Sequence, residues 1–532
     1  MCFRYQQTAV ARNVSHTSRL TMTGGAKTER DETSIAQFAP ISEWDFASAS
    51  GLAEALRSRR ISASEHLEHT IRRIEALDGS VNAIVVRDFD RARIAAKEAD
   101  TAIARGERKS LLGVPITLKE AFNVAGLTTT WGDPEMKDFI PKEDALVVSR
   151  LKQAGAVVIG KTNIPQGLRD FQSYNTIYGV TKNPWNLDLT PGGSSGGSAA
   201  SLACGFESLS IGSDIGGSVR APAHYCGICA HKPSLGLVPL RGYGPPPAPP
   251  IPGRGDLAVA GPMARHVADL ALALDAIAGP DELYEGVGYR VALPIARYER
   301  LQDFRVFVVD THPLVPAGTA VRSAIMHLAD KLEHLGTKVE RNNSPLPNLD
   351  ESARLYMGLL NAAKSPRFTP EEYAEAKRVV GAALADDRSL QIERARGMLM
   401  SHREWLTADG ARRRLQEQWQ AFFRTWDVVI YPAAAVPAFP HDYSEPIEAR
   451  HLHIDGVQYP YYDASFVWAD PASTCGLPAT VVPVDRSPTG LPIGVQIIGA
   501  YLEDRTTLGF AALIEREFGG FVPPRFASGG NG

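Results

Sequence analysis

Two glycine-flanked serines and one lysine are the residues of this sequence best suited to chemistry. Ser194 lies in GGSSGG, Ser218 lies in DIGGSVR, and Lys119 ends the apolar run GVPITLK. Ser194 follows Lys119 by 75 residues and precedes Ser218 by 24. Glycine neighbours remove Cβ bulk, so a substrate can approach while backbone N–H groups converge on a developing negative charge. The pattern indicates a catalytic centre, an anion-binding loop or a flexible linker.

Lys119 is a candidate general base because of its expected surroundings. It follows a short apolar run that is typical of a buried strand. Burial disfavours the ammonium ion and lowers the pKa of a lysine. A neutral lysine can accept a proton, whereas an exposed lysine with a pKa of about 10.4 does so poorly at neutral pH. The alternative is a surface lysine at the end of a strand.

The segment around Ser218 has the composition of an anion-binding turn. Asp214 and Arg220 flank its two glycines and are expected to pair across the turn. Successive backbone N–H groups would then point into one concavity, which can stabilise an oxyanion. The alternative is a solvated glycine loop.

Other short motifs have competing interpretations. The sequence matches G-x-S-x-G at Ser194 and Ser195, but the nucleophile elbow of an α/β-hydrolase also needs a downstream acid and histidine in a diagnostic context. A phosphate-binding loop would need a different glycine and lysine spacing. Cys226 and Cys229 form a CxxC pair without a second pair, so we expect small core residues and no metal.

The composition excludes several classes of function. The chain has 532 residues, of which 44% are hydrophobic and 22% are charged, with a formal net charge of −4. This balance gives no basic surface for nucleic acid, and no segment reaches the ~18 apolar residues that cross a membrane. Five cysteines in so long a chain favour a reduced compartment. We therefore expect a cytoplasmic protein without nucleic-acid or membrane partners; a homodimer is left open.

Residues 1–40 are expected to form a disordered N-terminal extension. The first 28 residues contain four basic and no acidic residues. A transit peptide has a similar composition and is the alternative interpretation.

Helices and strands are predicted to alternate around the candidate catalytic residues Lys119, Ser194 and Ser218. Apolar spacing predicts helices through 50–78, divided by a capping box at Ser62 and Glu65, and a buried strand at 112–118 before Lys119. The other predicted elements up to residue 340 are helix 88–105, helix 145–154, strand 156–159, helix 198–205, strand 209–211, helix 264–277, strand 304–309, helix 319–335 and strand 337–340. This alternation predicts an α/β fold.

Two stretches interrupt the alternation. Residues 244–255 are rich in proline and are expected to form a surface loop. Residues 351–425 are rich in Ala, Arg, Glu and Leu and are predicted to be mostly helical. Strand patterns then return at 428–431, 479–482 and 494–498, before a helix at 506–517. One sheet interrupted by a helical insertion is the expected arrangement.

Nine segments of the sequence, which include Lys119, Ser194 and Ser218, together resemble the amidase signature family of serine hydrolases. The resemblance covers roughly residues 45–520, and the ordered set is far more specific than any one motif. It implies a single large α/β/α domain over 41–525, with a central mixed β-sheet covered by helices and a mostly helical insertion at about 345–425. The matching segments are GVPITLKE (113–120), GKTNIPQ (160–166), NPWN (183–186), TPGGSSGGSAA (190–200), GSDIGGSVRAPA (212–223), HKPSLGLVP (231–239), GPMARHVADL (261–270), CGLPATVVPV (475–484) and GLPIGVQIIG (490–499).

The resemblance also implies a Ser–cisSer–Lys catalytic set. Ser218 would be the nucleophile, Ser194 the bridging serine after a cis Gly193–Ser194 bond, and Lys119 the base. A serine activated by a hydrogen-bonded base that a third group orients is the general form of such a site. The implied oxyanion donors are the N–H groups of Ile215, Gly216, Gly217 and Ser218, and the supporting residues are Gly193, Ser195, Asp214 and Arg220.

Residues 167–174, GLRDFQSY, occupy the position of the family's site-lining loop. Gly167 and Leu168 are expected to line the substrate site. Arg169 and Asp170 would either contact the substrate or pair with each other on the surface.

The implied activity is hydrolysis of the C–N bond of carboxylic amides through an acyl-serine intermediate, without a cofactor. Aryl or alkyl amides are the expected substrates, with carbamates and esters left open. The alternative is the glutamine-hydrolysing subunit of a tRNA-dependent amidotransferase, although QGLRDFQSYN differs from the acidic, methionine-containing stretch found there. The remaining hypotheses are a scaffold protein without activity and a Ser-His-Asp hydrolase.

Overall fold

Eleven strands form one mixed sheet in the part of the chain that the structure describes. The structure is a computed structural model, and it describes residues 42–250, 252–253, 255–341 and 346–528. These residues all belong to one compact unit. The extension expected at 1–40 lies outside the described residues.

The bounds of the strands and α-helices are as follows. The strands are β1 (Ile84–Arg87), β2 (Pro115–Lys119), β3 (Val157–Thr162), β4 (Tyr174–Asn175), β5 (Gly179–Val180), β6 (Leu209–Asp214), β7 (Cys229–Lys232), β8 (Val259–Ala264), β9 (Arg305–Val308), β10 (Lys338–Glu340), β11 (Val428–Pro432), β12 (His451–Ile454), β13 (Val457–Pro460), β14 (Ala479–Arg486) and β15 (Pro492–Ile498). The helices are α1 (Ala49–Arg57), α2 (Ala63–Val81), α3 (Phe89–Ala104), α4 (Leu146–Gln153), α5 (Gly196–Ala203), α6 (Arg220–Cys226), α7 (Val267–Ile277), α8 (Thr319–His334), α9 (Leu349–Lys364), α10 (Pro370–Ala382), α11 (Leu390–Met398), α12 (His402–Phe422), α13 (Tyr461–Phe466) and α14 (Asp504–Phe518).

The sheet combines parallel and antiparallel pairs. Its strand order is β1-β3-β2-β6-β8-β7-β14-β15-β11-β9-β10, while β4–β5 and β12–β13 form separate two-stranded sheets. Strand β2 runs parallel to β3 and β6, and β9 runs parallel to β10 and β11. The other pairs in the large sheet are antiparallel. The predicted α/β fold with a mixed central sheet is therefore confirmed.

Small residues allow helix α5 to pack closely against strands β2, β3 and β6. Every residue of β2, β3 and β6 is buried, as expected for parallel strands covered on both faces. Helix α5 contacts all three strands. Its residues are small, and a Cβ at Gly197 would lie only 2.4 Å from the backbone nitrogen of Asn163. The small side chains thus let α5 approach the sheet closely enough to fix the turn that precedes it.

The helical stretch at 351–425 connects two strands of the large sheet. Helices α9 to α12 lie in the chain between β10 and β11, and both of those strands pair with β9. Capping boxes begin α10 at Thr369 and α12 at Ser401. Helix α9 packs against α11 and α12. The mostly helical character predicted for 351–425 is confirmed.

The sequence patterns missed several strands and helices of the fold. Strands β1, β7 and β8 and helix α6 were not predicted. Every residue of α6 is buried, so it shows no amphipathic spacing, and it contains Pro222. Strand β8 contains Gly261 and Pro262, which ordinarily argue against a strand interior. Tertiary packing outweighs local propensity at these positions.

The proline-rich loop and the start of α2 follow the sequence patterns more closely. Residues 244–250, 252–253 and 255 form neither helix nor strand, as predicted for the proline-rich segment. The capping box predicted at Ser62 and Glu65 separates α1 from α2. Within the described ranges, no helix has the length and apolar character that a membrane crossing requires.

Candidate active site

Lys119 is the last residue of β2 and is completely buried. Strands β2 and β6 run parallel, with Leu118 opposite Ile211. Their carboxyl ends therefore meet at one edge of the sheet, where ligands bind in α/β folds. The prediction that Lys119 ends a buried strand is confirmed.

Lys119 contacts two serine hydroxyl groups. Its Nζ lies 2.6 Å from Ser194 Oγ and 2.9 Å from Ser213 Oγ. Ser194 stands in the turn before α5, and the Gly193–Ser194 peptide bond is cis, as the resemblance implied. The fold thus joins a lysine and a serine that are 75 residues apart in the chain.

Burial lowers the pKa of Lys119 to about 7, because the ammonium ion loses its hydration. The negative charge of Asp214 acts in the opposite direction and offsets only part of this shift. The amine form of Lys119 is therefore populated near neutral pH, where it can accept a proton.

Ser213 and Tyr243 complete this hydrogen-bonded chain, and neither was predicted as a site residue. The Tyr243 hydroxyl donates to Ser213 Oγ at 2.8 Å, and Ser213 Oγ contacts the Lys119 amine. A signal existed for Ser213, which precedes Asp214 at the end of the strand beside β2. No pattern singles out Tyr243, which lies just before the proline-rich segment.

Asp214 and Arg220 form the predicted ion pair, with 2.9 Å between Oδ1 and Nη2, and both side chains are buried. Burial alone would raise the pKa of Asp214, but the charge and hydrogen bonds of Arg220 lower it to about 2. Arg220 also donates to the carbonyl of Ala469, the side-chain oxygen of Gln496 and the hydroxyl of Ser473. The pair therefore anchors the Ser218 loop to the C-terminal part of the chain.

The four expected oxyanion donors differ in how they are used. The Gly217 N–H donates to Asp214 Oδ1 at 2.8 Å. Within the described ranges, the N–H groups of Ile215, Gly216 and Ser218 have no acceptor. The amide of Gly217 therefore holds the loop together, which leaves the other three available to a ligand.

Side chains of helices α9 and α13 contact the same loop. The Tyr356 hydroxyl, from α9, donates to the carbonyl of Ile215 at 2.9 Å. A Cβ at Gly216 would lie 2.6 Å from Cε1 of Phe466, in α13. Only glycine fits this position without displacing the aromatic ring. The resemblance placed Gly216 in the site, and the structure adds this packing reason.

Ser194 and Ser218 line one cavity at the end of the sheet. Ser218 is 8% exposed and Ser194 is 2% exposed. Gly167 and Leu168, in the 3-10 turn Gln166–Leu168, line the same cavity. Its accessible space is about 40 Å³. Its apolar wall includes Leu168, Phe171, Ile215, Ala258, Leu360 and Phe466.

Arg169 and Asp170 also line the cavity but have other partners. Arg169 pairs with Glu372 of α10 at 2.7 Å. Asp170 is buried and pairs with Arg450 at 2.7 Å. The expectation that they pair with each other on the surface is therefore replaced by two separate ion pairs, of which that of Asp170 is buried.

Ser195, the second serine that matches G-x-S-x-G, connects the Ser194 loop to the Ser218 loop. Ser195 is buried and precedes α5, and its N–H donates to the carbonyl of Ser218 at 3.1 Å. A Cβ at Gly193, which precedes Ser194, would lie 2.5 Å from the carbonyl oxygen of Asp170. Both residues thus hold Ser194 and Ser218 in one compact arrangement.

The CxxC pair belongs to the core. Cys226 and Cys229 are completely buried, and burial raises the pKa of both thiols above the ordinary value. The neighbouring His224 ring lies between the carbonyl oxygens of Gly494 and Val436, at 2.9 and 3.1 Å. The prediction of small core cysteines is confirmed.

Comparisons with known proteins identify the family of this chain. A family model described as Amidase matches residues 65–508. Indoleacetamide hydrolase of Bradyrhizobium diazoefficiens is 34% identical over 491 residues, covering 90% of this chain and 87% of that protein. A glutamyl-tRNA(Gln) amidotransferase subunit of Bdellovibrio bacteriovorus is 31% identical over 495 residues, covering 88% of this chain and 96% of that protein.

A solved structure shows the same fold. The crystal structure of a bacterial aryl acylamidase of the amidase signature family superposes with a TM-score of 0.75 at 24% identity, covering 92% of this chain and 99% of that one. Because the family model spans most of the sequence, this chain belongs to the amidase signature family and is a hydrolase that acts on amide C–N bonds.

Proposed function

We propose that the protein hydrolyses small carboxylic amides through an acyl intermediate on Ser218, with Ser194 as proton relay and Lys119 as base. The observation that carries this proposal is the 2.6 Å contact between Lys119 Nζ and Ser194 Oγ. It joins a lysine whose pKa burial lowers to about 7 to a serine that shares a cavity with Ser218. A base of matched pKa and a relay are what a serine nucleophile requires.

In the acylation step, Ser218 Oγ attacks the amide carbonyl carbon. Its proton passes to Ser194 Oγ, while the proton of Ser194 passes to the Lys119 amine. The carbonyl oxygen becomes an oxyanion, which accepts hydrogen bonds from the N–H groups of Ile215, Gly216 and Ser218 in this proposal. When the C–N bond breaks, the Lys119 ammonium returns a proton through Ser194 to the leaving amine.

Deacylation repeats the same proton path with water. Water attacks the ester carbon of acylated Ser218, and its proton passes through Ser194 to Lys119. The second tetrahedral intermediate collapses to a carboxylic acid, and Ser218 Oγ regains a proton by the reverse route. No external cofactor is needed, because each proton that Lys119 takes is given back within the cycle.

Aryl and alkyl amides are the proposed substrates. Leu168, Phe171 and Phe466 give the cavity an apolar and aromatic wall beside the two serines. Carbamates and esters contain the same acyl carbon, so the same acylation chemistry would open them. Gly167 and Leu168 would contact the substrate from the turn at the cavity edge.

A fluorophosphonate probe tests the nucleophile directly. Such a probe reacts with an activated serine, so it should label the protein at Ser218, which peptide mapping by mass spectrometry identifies. Ser218→Ala should abolish the labelling, and Ser195→Ala is the control for reaction at another loop serine. Labelling that persists in Ser218→Ala would contradict the assignment.

A glutamine-hydrolysing amidotransferase component is the second candidate, favoured by the 31% identity to the relative from Bdellovibrio bacteriovorus. The two functions differ in substrate range and in dependence on a partner. The purified chain should hydrolyse simple aryl and alkyl amides on its own. Activity confined to glutamine, together with co-purification of a tRNA-binding partner, would favour the second candidate instead.

A further inference from the structure

Two cationic side chains reach the cavity from the helical stretch. Lys364 is the last residue of α9, and Arg367 ends the turn that follows it. Both line the cavity together with Ser194 and Ser218. Neither side chain forms a hydrogen bond or an ion pair with any residue in the described ranges. The proposed mechanism assigns no role to either of them.

Aromatic rings lie beside both cations and leave their charged groups unpaired. The Arg367 guanidinium lies 4.9 Å from the centroid of the Trp131 ring, and Trp131 packs against Tyr243 at 5.2 Å. Lys364 Nζ lies 5.9 Å from the centroid of the Phe466 ring. A guanidinium carries five N–H donors and an ammonium three, so both groups keep their hydrogen-bonding capacity for an anionic ligand.

The other charged residues of the cavity are already neutralised. Arg169 pairs with Glu372, and Asp170 pairs with Arg450. Asp170 also accepts a hydrogen bond from Tyr461 at 2.7 Å. The cavity therefore presents unpaired positive charge and, among the described residues, no unpaired carboxylate. This balance suits an anion and not an ammonium group.

The charge of Lys364 depends on its surroundings, including any bound anion. Burial, together with the nearby charges of Arg394, Arg169 and Arg367, lowers the pKa of Lys364 to about 7. Glu448 favours the ammonium form but is paired with Arg394 at 3.1 Å. Near neutral pH both the amine and the ammonium forms of Lys364 are therefore populated, and a bound anion would favour the ammonium form by offsetting the repulsion from the neighbouring cations.

We propose that the amide substrate carries a carboxylate, which Lys364 and Arg367 hold while Ser218 attacks the amide carbonyl. This inference rests on the proposed function and adds the substrate class to it. The apolar wall at Leu168 and Leu360 would contact the segment between the carboxylate and the amide. Monoamides of dicarboxylic acids and N-acyl derivatives of aminobenzoates are compounds of this class.

Matched substrate pairs test the preference for an anion. Succinic acid mono-4-nitroanilide and butyric acid 4-nitroanilide differ by a carboxylate in place of a methyl group, and 3-acetamidobenzoate and acetanilide differ by one carboxylate. We expect kcat/KM to be about 10- to 100-fold higher for the anionic member of at least one pair, the range of a charge-assisted hydrogen bond. Equal rates within both pairs would overturn the proposal.

Variants test whether these two cations cause the preference. In Lys364→Met/Arg367→Gln, the ratio of kcat/KM between anionic and neutral members should fall to about one by the same argument. The charge-retaining Lys364→Arg/Arg367→Lys should keep most of the ratio, and it controls for loss of fold. Lys377→Met, an exposed lysine of α10 away from the cavity, should leave both rates unchanged. A ratio unaffected by the first double variant would refute the assignment.

Binding to Ser218→Ala separates this inference from the proposed function. Calorimetry should show that this variant binds succinic acid mono-4-nitroanilide more tightly than the butyric analogue, and that the difference disappears when Lys364→Met/Arg367→Gln is added. If no amide is hydrolysed but this difference is found, the proposed function fails and the anion site stands. If amides are hydrolysed and the difference is absent, only the anion site fails.

Discussion

Lys119 Nζ and Ser194 Oγ lie 2.6 Å apart in a completely buried part of the protein. The contact forms because β2 ends at Lys119 while α5 packs against the same strand and fixes the preceding turn. Ser213, from the neighbouring strand β6, approaches the same amine at 2.9 Å. Two serines that lie 75 and 94 residues after Lys119 in the chain thus contact one lysine whose pKa is lowered by burial.

Lys119→Met should remove most of the activity while the fold is retained. Loss of a general base typically lowers the rate by about 10²- to 10⁴-fold. Methionine fills a similar volume without a buried polar group, so circular dichroism and the unfolding midpoint should show a folded protein. Lys152→Met, at a half-exposed lysine paired with Asp144, is the control. Unchanged amide turnover in Lys119→Met would rule out its role as base.

The pH dependence of kcat/KM should report the titration of Lys119. Burial lowers the pKa of this lysine to about 7, and only the amine above that pKa accepts a proton. With a neutral substrate such as butyric acid 4-nitroanilide, which needs no charge on Lys364, activity should therefore rise as the pH increases through about 7 and then level off on the alkaline side. Rates measured in buffers of constant ionic strength check this. A rise centred near pH 10, where an exposed lysine titrates, would contradict it.

Asp214→Asn should destabilise the protein strongly, because it leaves Arg220 buried without its charged partner. Removing one member of a buried ion pair costs about 3–5 kcal/mol of the free energy of unfolding. Urea denaturation followed by circular dichroism measures the loss. Asp303→Asn, in the exposed pair with Arg300, is the matched control and should change the midpoint little. Equal effects of the two substitutions would argue against the anchoring role of Asp214.

Gly216→Ala should disturb the Ser218 loop through a steric clash. The added Cβ would lie 2.6 Å from Phe466 Cε1 and 2.9 Å from the Tyr356 hydroxyl. Such overpacking costs about 1–3 kcal/mol and displaces the neighbouring N–H groups, so kcat should fall together with thermal stability. Gly410→Ala, within α12 and with its nearest atom at 3.8 Å, should instead stabilise by about 0.5–1 kcal/mol. A fully active Gly216→Ala would show that this packing is not needed.

Much of the fold could be predicted from local patterns. The capping box at Ser62 begins α2, and the apolar run before Lys119 is a buried strand. These signals depend on neighbours within a few residues, which the sequence displays directly. By contrast, the strand at 259–264 contains glycine and proline, and its conformation depends on pairing with β6 and β7. That this segment forms a strand therefore could not be predicted from the β-strand propensities of its residues.

Some residues of the candidate site could likewise be predicted from the sequence, and others could not. Glycine-flanked serines and the terminal lysine of a strand are visible in the sequence, as are Asp214 and Arg220 six residues apart. Ser213 was open to prediction, because it precedes Asp214 at the strand end. Tyr243 was not, because its hydrogen bond to Ser213 spans 30 residues and no motif surrounds it.

The sequence by itself determined the residue types and their order: the paired serine loops, the lysine after a buried strand, the alternation of helix and strand, and the resemblance to one family. Tertiary structure alone decided that Gly217 N–H is used by Asp214, and that Lys364 and Arg367 face the cavity of Ser218. The physical reason is that burial, charge pairing and cavity shape arise from residues distant in the chain. Local patterns carry no information about which of those residues meet.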